Sequence, residues 1–460
     1  MTVQSESSAV SSVPDAALAV LAKYDRRAPR YTSYPPVPAW NRAVGPAEYA
    51  DALAAAGADA AGTFSLYVHL PFCPQRCLYC GCNVTITRRR GAIEAYLARL
   101  DEELTLVTSM LGRGRRVVQV HLGGGTPNYL DDGELERLWH MLEARFDFPP
   151  DLDAAVEMDP RLGAGEQLGR LRALGFSRVS FGVQDLDERV QHAIGRIQPA
   201  DMVRHMIEAA RTEGFEGVNV DLIYGLPEQT PDRFAKTLDT VIELAPDRIA
   251  CFGYAHVPAM QPHQRALERY QLPDSAERFE LNRLAVARLT AAGYVWIGLD
   301  HFARPGDALA RAAAERRLYR NFNGYTTMPA THLLAFGMSA IGEVGGCLVQ
   351  NDADLAGWHG RIGRGDLATV RGHRLTEDDR RRRAAILALM CDLALPVAAT
   401  AGLEPELERV LAFGDDGLVE VRGDEVIVTP LGRYFLRTIC TAFDAYLPAE
   451  SERRPMSRAI

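Results

Sequence analysis

Lysine is almost absent from this chain of 460 residues: only Lys23 and Lys236 occur, and nearly all other basic residues are arginine. The formal net charge is −9, so no overall positive field is available to attract nucleic acid. No apolar run is long enough to cross a bilayer. The N-terminal segment carries Glu6 and no basic cluster ahead of its apolar residues, unlike a secretory signal. We therefore expect a cytoplasmic protein that binds neither nucleic acid nor membrane.

Cysteine is also scarce, with eight residues in the chain. So few thiols in a chain of this length do not make a disulfide scaffold. Four of them nevertheless crowd into the segment YVHLPFCPQRCLYCGCN (residues 67–83), as Cys73, Cys77, Cys80 and Cys82. The other four stand singly among apolar neighbours and are expected to be buried core thiols. Clustered thiols in such a chain favour a metal-binding or catalytic role.

The chain is longer than one hydrophobic core usually supports, so we expect two or three structural units. Its middle part alternates strand-like apolar runs with segments of helical spacing. The six strand-like runs are FSLYVHL, VVQVHL, AAVEM, RVSFGVQ, GVNVDLIYGLP and RIACFGYAH. Six such units in series predict an α/β fold with a parallel sheet, either open or curled into a partial barrel. Ligands bind such folds at the carboxyl ends of the strands, where the cysteine loop and the glycine triplet 123–125 fall.

Composition divides the chain into three regions. Residues 1–49 form a flexible terminus, with a helical stretch near 15–25, and an arm containing PRYTSYPP (29–36); 50–355 form the α/β unit; 356–460 form a smaller, mostly helical C-terminal domain. In that domain Thr376 is a plausible N-cap, and a hairpin is expected to turn at residues 422–424 before a further helix. This pattern is winged-helix-like, but without a basic face we expect a lid or packing role rather than DNA binding.

The spacing C-x3-C-x2-C-x-C places all four clustered thiols on one short loop. A structural zinc site usually takes its ligands from two separated pairs, so a compact iron–sulfur cluster fits the loop better. If only Cys73, Cys77 and Cys80 bind a four-iron cluster, one iron stays open to chelate a small molecule. Four unrelated buried thiols are disfavoured, because Pro, Gln, Arg and Gly lie between them.

The loop resembles the radical S-adenosylmethionine signature, with the aromatic Tyr79 directly before the third thiol. Other motifs follow the order seen in the family of oxygen-independent coproporphyrinogen III oxidases: PRYTSYP, GGGTP, EMDPR, FGVQD, NVDLIYGLP, DRIACFGYAHVP, LDHFARP, RNFNGYTT and GMSAIG. The resemblance covers residues 20 to 450. The heme-chaperone-like paralogues carry Phe at the position of Cys82 and lack the arm, so both features favour the oxidase.

The resemblance implies a partial (βα)6 TIM-like barrel of the radical S-adenosylmethionine type. It implies a [4Fe-4S] cluster on Cys73, Cys77 and Cys80, with Cys82 nearby as a substrate-side residue and not a ligand. Two molecules of S-adenosylmethionine are expected. The residues implied for the first are Tyr67, Gly124, Glu157 and Ile341. Those implied for the second are Tyr79, Gly125, Thr126, Gln184, Arg196, Asp221 and Ala255.

The implied reaction is oxidative decarboxylation of the ring A and B propionates of coproporphyrinogen III, which yields the vinyl groups of protoporphyrinogen IX in heme biosynthesis. A 5′-deoxyadenosyl radical from S-adenosylmethionine removes a hydrogen from the propionate β-carbon. Arg30 and Arg304 are candidates to bind substrate carboxylates, and Tyr31 or Tyr34 to pack on the tetrapyrrole. An acidic electron donor such as flavodoxin is expected as a partner. Residues 88–90 are interpreted first as a solvated charge run, with docking of that donor as the alternative. Nothing in the sequence demands more than a monomer.

Three other functions remain open at this stage. One is a heme-binding chaperone that uses the same cluster and barrel, and another is a different radical enzyme, such as a methyltransferase or a heme-opening catalyst. The third, winged-helix DNA binding, is disfavoured by the acidic balance. His69 is either a packed core residue or an aid to proton or electron transfer. Asp300 and His301 fit two interpretations equally well: an acid–base pair, or a hydrogen-bonded turn with a structural role.

Overall fold

The computed structural model describes residues 20–163, 165–448 and 458. The strands in these residues are β1 (Phe64–Leu70), β2 (Phe72–Cys73), β3 (Thr85–Ile86), β4 (Arg115–Gly124), β5 (Phe146–Asp147), β6 (Asp153–Met158), β7 (Arg178–Gln184), β8 (Gly217–Tyr224), β9 (Arg248–Gly253), β10 (Val295–Gly298), β11 (His301–Ala303), β12 (Tyr319–Asn321), β13 (Gly324–Thr326), β14 (His332–Phe336), β15 (Ile341–Val344), β16 (Cys347–Asn351), β17 (Thr369–Arg374), β18 (Ala394–Pro396), β19 (Val419–Arg422) and β20 (Glu425–Val428).

The α-helices of the same residues are α1 (Pro46–Ala58), α2 (Arg90–Leu111), α3 (Asp132–Glu143), α4 (Gly165–Ala173), α5 (Glu188–Ile194), α6 (Ala200–Thr212), α7 (Pro231–Leu244), α8 (Ser275–Ala291), α9 (Ala308–Ala314), α10 (Leu355–Ile362), α11 (Glu377–Asp392), α12 (Glu404–Leu411) and α13 (Leu436–Cys440). Residues 20–24 are helical, and the rest of the helix predicted near 15–25 lies outside the described residues. None of these helices is both long and apolar enough to span a membrane.

The six predicted strands are β1, β4, β6, β7, β8 and β9, and they lie side by side in chain order. The pairings between neighbours among these six strands are all parallel. Helices connect them because apolar residues recur at helical spacing between the strands, as in α7, which buries Phe234, Leu238 and Val241. The prediction of an α/β fold with six strand–helix units is therefore confirmed.

Both edges of this sheet carry strands that the sequence did not reveal. At one edge β14 runs parallel to β1, and β15, β16 and β17 follow in antiparallel order. At the other edge β11 pairs antiparallel with β9, and β10 pairs with β11. The hairpin of β12 and β13 brings Asn321, Tyr325 and Thr326 to the interior cavity. The parallel strands thus surround an interior that this hairpin partly fills.

The C-terminal region contains the predicted helix and hairpin. Thr376 caps α11 and forms a capping box with Asp379, while β19 and β20 turn at residues 422–424 as predicted. β18 completes a three-stranded sheet with this hairpin. Because β17 pairs with β16, the main sheet continues to Arg374, past the boundary that composition suggested at residue 355.

The arm packs on the C-terminal region through buried tyrosines. Tyr31 and Tyr34 are 3% and 2% exposed. The Tyr31 hydroxyl donates to Asp444 at 3.0 Å, and the Tyr34 hydroxyl donates to the Phe443 carbonyl at 3.2 Å. Arg437 donates to the carbonyls of Ala28 and Pro29. The arm is therefore an integral part of the packed structure.

Candidate active site

The cysteine loop leaves the carboxyl end of β1 and is closed at its base by a short parallel pair. β2, which contains Cys73, pairs with β3, and the amide of Thr85 donates to the Pro71 carbonyl at 2.7 Å. The Cys73 sulfur lies 3.1 Å from the Thr126 hydroxyl, which follows the glycine triplet. The end of β1 thus places the Cys73 thiol next to the turn that contains the glycine triplet.

Two buried arginines surround the second thiol. Arg161 and Arg196 each direct a guanidinium N–H to the Cys77 sulfur, at 3.5 Å and 3.6 Å. Both also bind the Asp159 carboxylate, at 2.7 Å and 3.0 Å. Burial opposes ionisation of Asp159, but the two guanidinium groups outweigh it and hold its pKa below the usual value. Two guanidinium groups therefore lie directly beside the second thiol.

These residues fit an iron–sulfur cluster better than a single metal ion. Within the described residues, no three His, Cys, Asp or Glu side chains lie close enough together to hold one ion. Thiolates that bind a cluster each take a different iron, so they need not converge on one point. Arg161 and Arg196 each retain a buried N–H that has no partner among the residues the structure describes, at Nη1 and Nε respectively. Such donors suit a cluster, because hydrogen bonds to its sulfurs stabilise its charge.

Cys82 differs from the other clustered thiols in its environment. It is exposed, and its thiol donates to the Cys80 sulfur, which lowers the pKa of Cys80 to about 7. Burial instead raises the pKa of Cys73 to about 11. Cys82 therefore lies beside the third predicted ligand, as the family resemblance implies for a residue that is near the cluster.

The glycine triplet makes a close approach that side chains would block. Gly124 has φ of +111°, and a Cβ there would lie 2.5 Å from Nδ1 of His69. A Cβ at Gly125 would lie 2.6 Å from the carbonyl carbon of Pro71. The Gly124 amide donates to the Glu157 carboxylate at 3.2 Å. The backbone of Gly124 and Gly125 therefore lies directly between the cysteine loop and the end of β6, with no side chain in the way.

His69 joins Tyr67 to the cysteine loop. Its Nδ1 lies 3.1 Å from the Tyr67 hydroxyl and its Nε2 lies 2.9 Å from the Asn83 carbonyl. Burial lowers the pKa of His69, so the ring is neutral at physiological pH. The Tyr67 ring also stacks on the His121 ring, with 5.9 Å between the ring centroids. His69 therefore fixes both Tyr67 and the end of the loop.

A polar cavity of about 230 Å³ lies inside the barrel. The side chains that line it include His121, Glu157, Ser180, Asn219 and Asp221. His121 lies 3.0 Å from Glu157, and Asp221 accepts from Ser180 at 3.0 Å and from Asn219 at 2.8 Å. Burial and the charge of Glu157 raise the pKa of Asp221 to about 6. The cavity thus offers two carboxylates close to the glycine turn.

The remaining predicted cofactor residues lie at the same end of the barrel. Gln184 ends β7 with φ of +69°. Ala255 follows β9, and its carbonyl accepts from Gln264, which also donates to the Tyr79 carbonyl of the cysteine loop. Ile341 begins β15, beyond the carboxyl end of β14.

Arg196 has partners within the chain. Besides Asp159 and Cys77, its guanidinium binds the Gly182 carbonyl at 2.5 Å. It therefore contacts the second thiol directly, which its predicted role as a carboxylate ligand did not require.

The structure corrects two substrate-side predictions. Arg304 was expected at the mouth of the barrel, but its amide donates to the carbonyl of Asp247, at the amino end of β9. It lies there because β11 runs antiparallel to β9 and returns to the opposite end. Tyr31 is buried against Asp444 and is not among the residues that line the barrel cavity, so the structure places it away from that cavity.

Arg30 remains near the cavity. It pairs with Asp300, and its guanidinium lies 5.3 Å from the centre of the Phe252 ring, which lines the cavity. This pairing also answers the open question about Asp300 and His301. Asp300 is an ion-pair partner of the arm, and Nδ1 of His301 is buried without a partner among the described residues.

Several functional candidates were missed from the sequence. Arg161 belongs to the motif EMDPR and directly follows a strand end, which was a usable signal. His121 faces the cavity because it lies two residues after Gln119 on the same face of β4, so strand periodicity would have found it. Arg320 opens the motif RNFNGYTT, which was also a usable signal. Gln264 carries no local signal, because it acts through residues distant in sequence.

The fold and the thiol loop together define a radical S-adenosylmethionine enzyme, and the family model for the Radical SAM superfamily matches residues 67–241. Enzymes of this superfamily use a [4Fe-4S] cluster and S-adenosylmethionine. The chain is 42% identical to the oxygen-independent coproporphyrinogen III oxidase of Pseudomonas aeruginosa, over 96% of this chain and 98% of that protein. The corresponding protein of Escherichia coli K12 is 40% identical over the same shares.

A solved structure agrees with these relatives. The coproporphyrinogen III oxidase of Escherichia coli, described as a radical SAM enzyme, superposes with a TM-score of 0.87 at 39% identity, covering 91% of this chain and 98% of that one. The chain belongs to the family of oxygen-independent coproporphyrinogen III oxidases.

Proposed function

We propose that this protein catalyses the oxygen-independent oxidative decarboxylation of the ring A and B propionates of coproporphyrinogen III, giving protoporphyrinogen IX in heme biosynthesis. The observation that carries the proposal is the glycine turn, which joins the predicted cluster loop to the carboxylates of the barrel cavity through Gly124 and Glu157. Identity to the curated oxidases extends over nearly the whole chain, so it includes the arm and the C-terminal region as well as the barrel.

Cys73, Cys77 and Cys80 are the proposed cluster ligands. When bound, the cluster and S-adenosylmethionine supply a 5′-deoxyadenosyl radical by one-electron cleavage of a carbon–sulfur bond. Glu157 accepts the ammonium of the first S-adenosylmethionine, because it is ionised: burial opposes its charge, but His121 and the Gly124 amide hold its pKa low. Tyr67, Gly124 and Ile341 complete that binding site. These residues orient the methionine part and exclude water.

A second S-adenosylmethionine is proposed beside the first. Asp221 offers a carboxylate for an ammonium or for ribose hydroxyls, and Gly125 allows close backbone approach. The other proposed contacts are Tyr79, Thr126, Gln184, Arg196 and Ala255. Of these residues, Arg196 already uses its two terminal nitrogens within the chain, and one of them binds Asp159. Its buried Nε–H is therefore the donor that we assign to a ligand.

The substrate carboxylates require cationic partners, and Arg30 and Arg320 supply them in this proposal. Arg320 is 4% exposed, and its Nε and Nη1 have no partner among the described residues. Arg30 is already paired with Asp300, but burial and the charges of Arg437 and Arg320 still lower its pKa to about 9, so a substrate carboxylate would add a second anion to this group of cations. Cys82 is the proposed substrate-side thiol.

An acidic electron donor such as flavodoxin is proposed to dock beside the cysteine loop. Arg76, Arg88 and Arg89 are exposed there, whereas Arg90 is already paired with Asp131 at 2.9 Å and with Glu134. A cluster held by thiolates needs a reducing compartment, and all eight cysteines are free, which supports a cytoplasmic location. We propose that the protein acts there as a monomer.

The test is anaerobic reconstitution followed by reaction with reductant, S-adenosylmethionine and coproporphyrinogen III. We expect a tetrapyrrole that has lost two carboxyl groups, together with 5′-deoxyadenosine. Cys80→Ser should abolish both products, and Cys251→Ser, a change at a buried thiol outside the loop, should abolish neither. Stoichiometric heme binding without turnover would instead indicate a heme chaperone.

A further inference from the structure

The cysteine loop has few backbone hydrogen bonds of its own. Between Pro74 and Cys82, the backbone bonds are from the amide of Leu78 to the Ile194 carbonyl, at 2.9 Å, and from the amide of Cys80 to the Cys77 carbonyl, at 3.2 Å. The loop is also rich in partly exposed residues. Something else must therefore hold the second and third thiols at a fixed separation.

The 3-10 helix Pro262–Leu267, together with the residue before it, supplies contacts to three consecutive carbonyls of this loop. Gln264 donates to the Tyr79 carbonyl at 2.8 Å, and Gln261 donates to the Gly81 carbonyl at 3.1 Å. Between them, Nε2 of His263 lies 2.9 Å from the Cys80 carbonyl. Three side chains thus match three successive peptide groups around the third thiol.

Gln264 is the central member of this set. It has no exposed surface, and its carboxamide is fully used. Its oxygen accepts from the Val257 amide at 2.7 Å, while its nitrogen is shared between the carbonyls of Tyr79 and Ala255. The side chain therefore ties the cysteine loop to the segment that follows β9.

We propose that Gln261, His263 and Gln264 form a clamp that positions the cluster loop, with Gln264 as its main residue. The clamp orients the peptide groups around Cys80 before the cluster is bound and slows cluster loss afterwards. Because Gln264 also holds Ala255, it keeps the two sides of the proposed second S-adenosylmethionine site together. This inference rests on the cluster and is independent of which tetrapyrrole is the substrate.

Gln264→Glu tests the clamp with nearly the same side-chain volume. A carboxylate oxygen would face the carbonyls of Tyr79 and Ala255, so their hydrogen bonds would be lost. Hydrogen–deuterium exchange of the metal-free protein should show faster exchange in residues 76–84 and in residues 254–257, which Gln264 also holds. In the reconstituted protein, chelator-driven cluster loss should be faster by about tenfold.

Gln191→Glu is the matched control. Gln191 is 2% exposed, its nitrogen donates to the carbonyls of Asp185 and Gln198, and its oxygen accepts from the Gln198 amide. Its side chain makes none of the hydrogen bonds to residues 73–82, so this variant should lower thermal stability without accelerating cluster loss. Equal rates of cluster loss in the two variants would overturn the proposal.

Two milder variants keep the test decisive if Gln264→Glu does not fold. Gln261→Ala and His263→Ala change partly exposed side chains, and each removes one carbonyl contact. We expect each to accelerate cluster loss by a few-fold and the double variant by more. Unchanged cluster loss and unchanged exchange in the double variant would overturn the clamp. Because exchange is measured without metal or substrate, its result does not depend on the proposed reaction.

Discussion

The Gly124 amide donates to the Glu157 carboxylate at 3.2 Å, which links the end of β4 to the end of β6. The backbone can make this contact because Gly124 has φ of +111° and no Cβ to strike His69. One amide and one carboxylate are thereby fixed at the boundary between the cluster loop and the cavity.

Gly124→Ala should disrupt that boundary. The left-handed backbone is strained for alanine and the new Cβ would displace His69, so we expect a loss of about 1–3 kcal/mol in the free energy of unfolding. Binding of S-adenosylmethionine to the reconstituted protein should weaken by about tenfold or more. Urea denaturation and calorimetric titration measure the two effects. The control is Gly91→Ala, because no atom lies within 4 Å of its added Cβ. Wild-type affinity in Gly124→Ala would contradict the expectation.

Asp159→Asn should destabilise the metal-free protein. The substitution leaves the buried guanidinium groups of Arg161 and Arg196 without their anionic partner, at a cost of about 3–5 kcal/mol. Asp239→Asn breaks the exposed pair with Arg288 and should cost less than about 1 kcal/mol. Urea denaturation of the two variants gives the comparison. Similar losses would show that the ion pairs beside Cys77 contribute little.

Because of His301, the free energy of unfolding should decrease as the pH is lowered. Burial and the charges of Arg320, Arg30 and Arg248 lower its pKa to about 3, well below the value of about 6.5 in an unfolded chain. The unfolded state therefore binds a proton first, and stability is lost as the pH falls below about 6.5. Between about pH 7.5 and about pH 5.5 the loss from this group is about 1.4 kcal/mol.

His301→Phe keeps an aromatic ring against Phe252 and Tyr325 but cannot titrate. We expect its stability to vary less over the same pH interval, by the amount that His301 contributes. Denaturant midpoints at the two pH values measure this difference. An unchanged pH dependence would mean that His301 is protonated equally in both states.

Arg437→Gln should loosen the arm. Arg437 donates to the carbonyls of Ala28, Pro29 and Arg458, and hydrogen bonds from a charged donor contribute about 1.5–3 kcal/mol each. We expect faster tryptic cleavage at Arg26, Arg27 and Arg30 and a lower melting temperature. Arg380→Gln, at an exposed residue of α11, is the control. Cleavage rates that match between the two variants would contradict this role.

Much of the barrel was predictable because its strands are apolar runs that end in glycine or polar residues. The edge strands and the interior hairpin were not, since β11 and β13 have only three residues each and β14 pairs with β1, far earlier in the chain. Short strands carry little periodicity, and non-local pairing leaves no pattern in a local window.

The same distinction applies to the site. The cysteine loop follows β1, and Gly124, Glu157 and Asp221 lie in the carboxyl-terminal halves of β4, β6 and β8, so the order of the parallel strands brings them together. Arg304 was misplaced because the sequence does not reveal that β11 reverses direction. Tyr31 was misplaced because an aromatic arm segment can face either a ligand or another domain, and only packing decides between them.

The position of β1 between β4 and β14 has a consequence for biosynthesis. When the cysteine loop first emerges from the ribosome, the strand that covers one side of β1 has not yet been translated. The barrel therefore acquires its final edge only late in translation, and the sheet beside β1 closes only after residues 332–336 have been made.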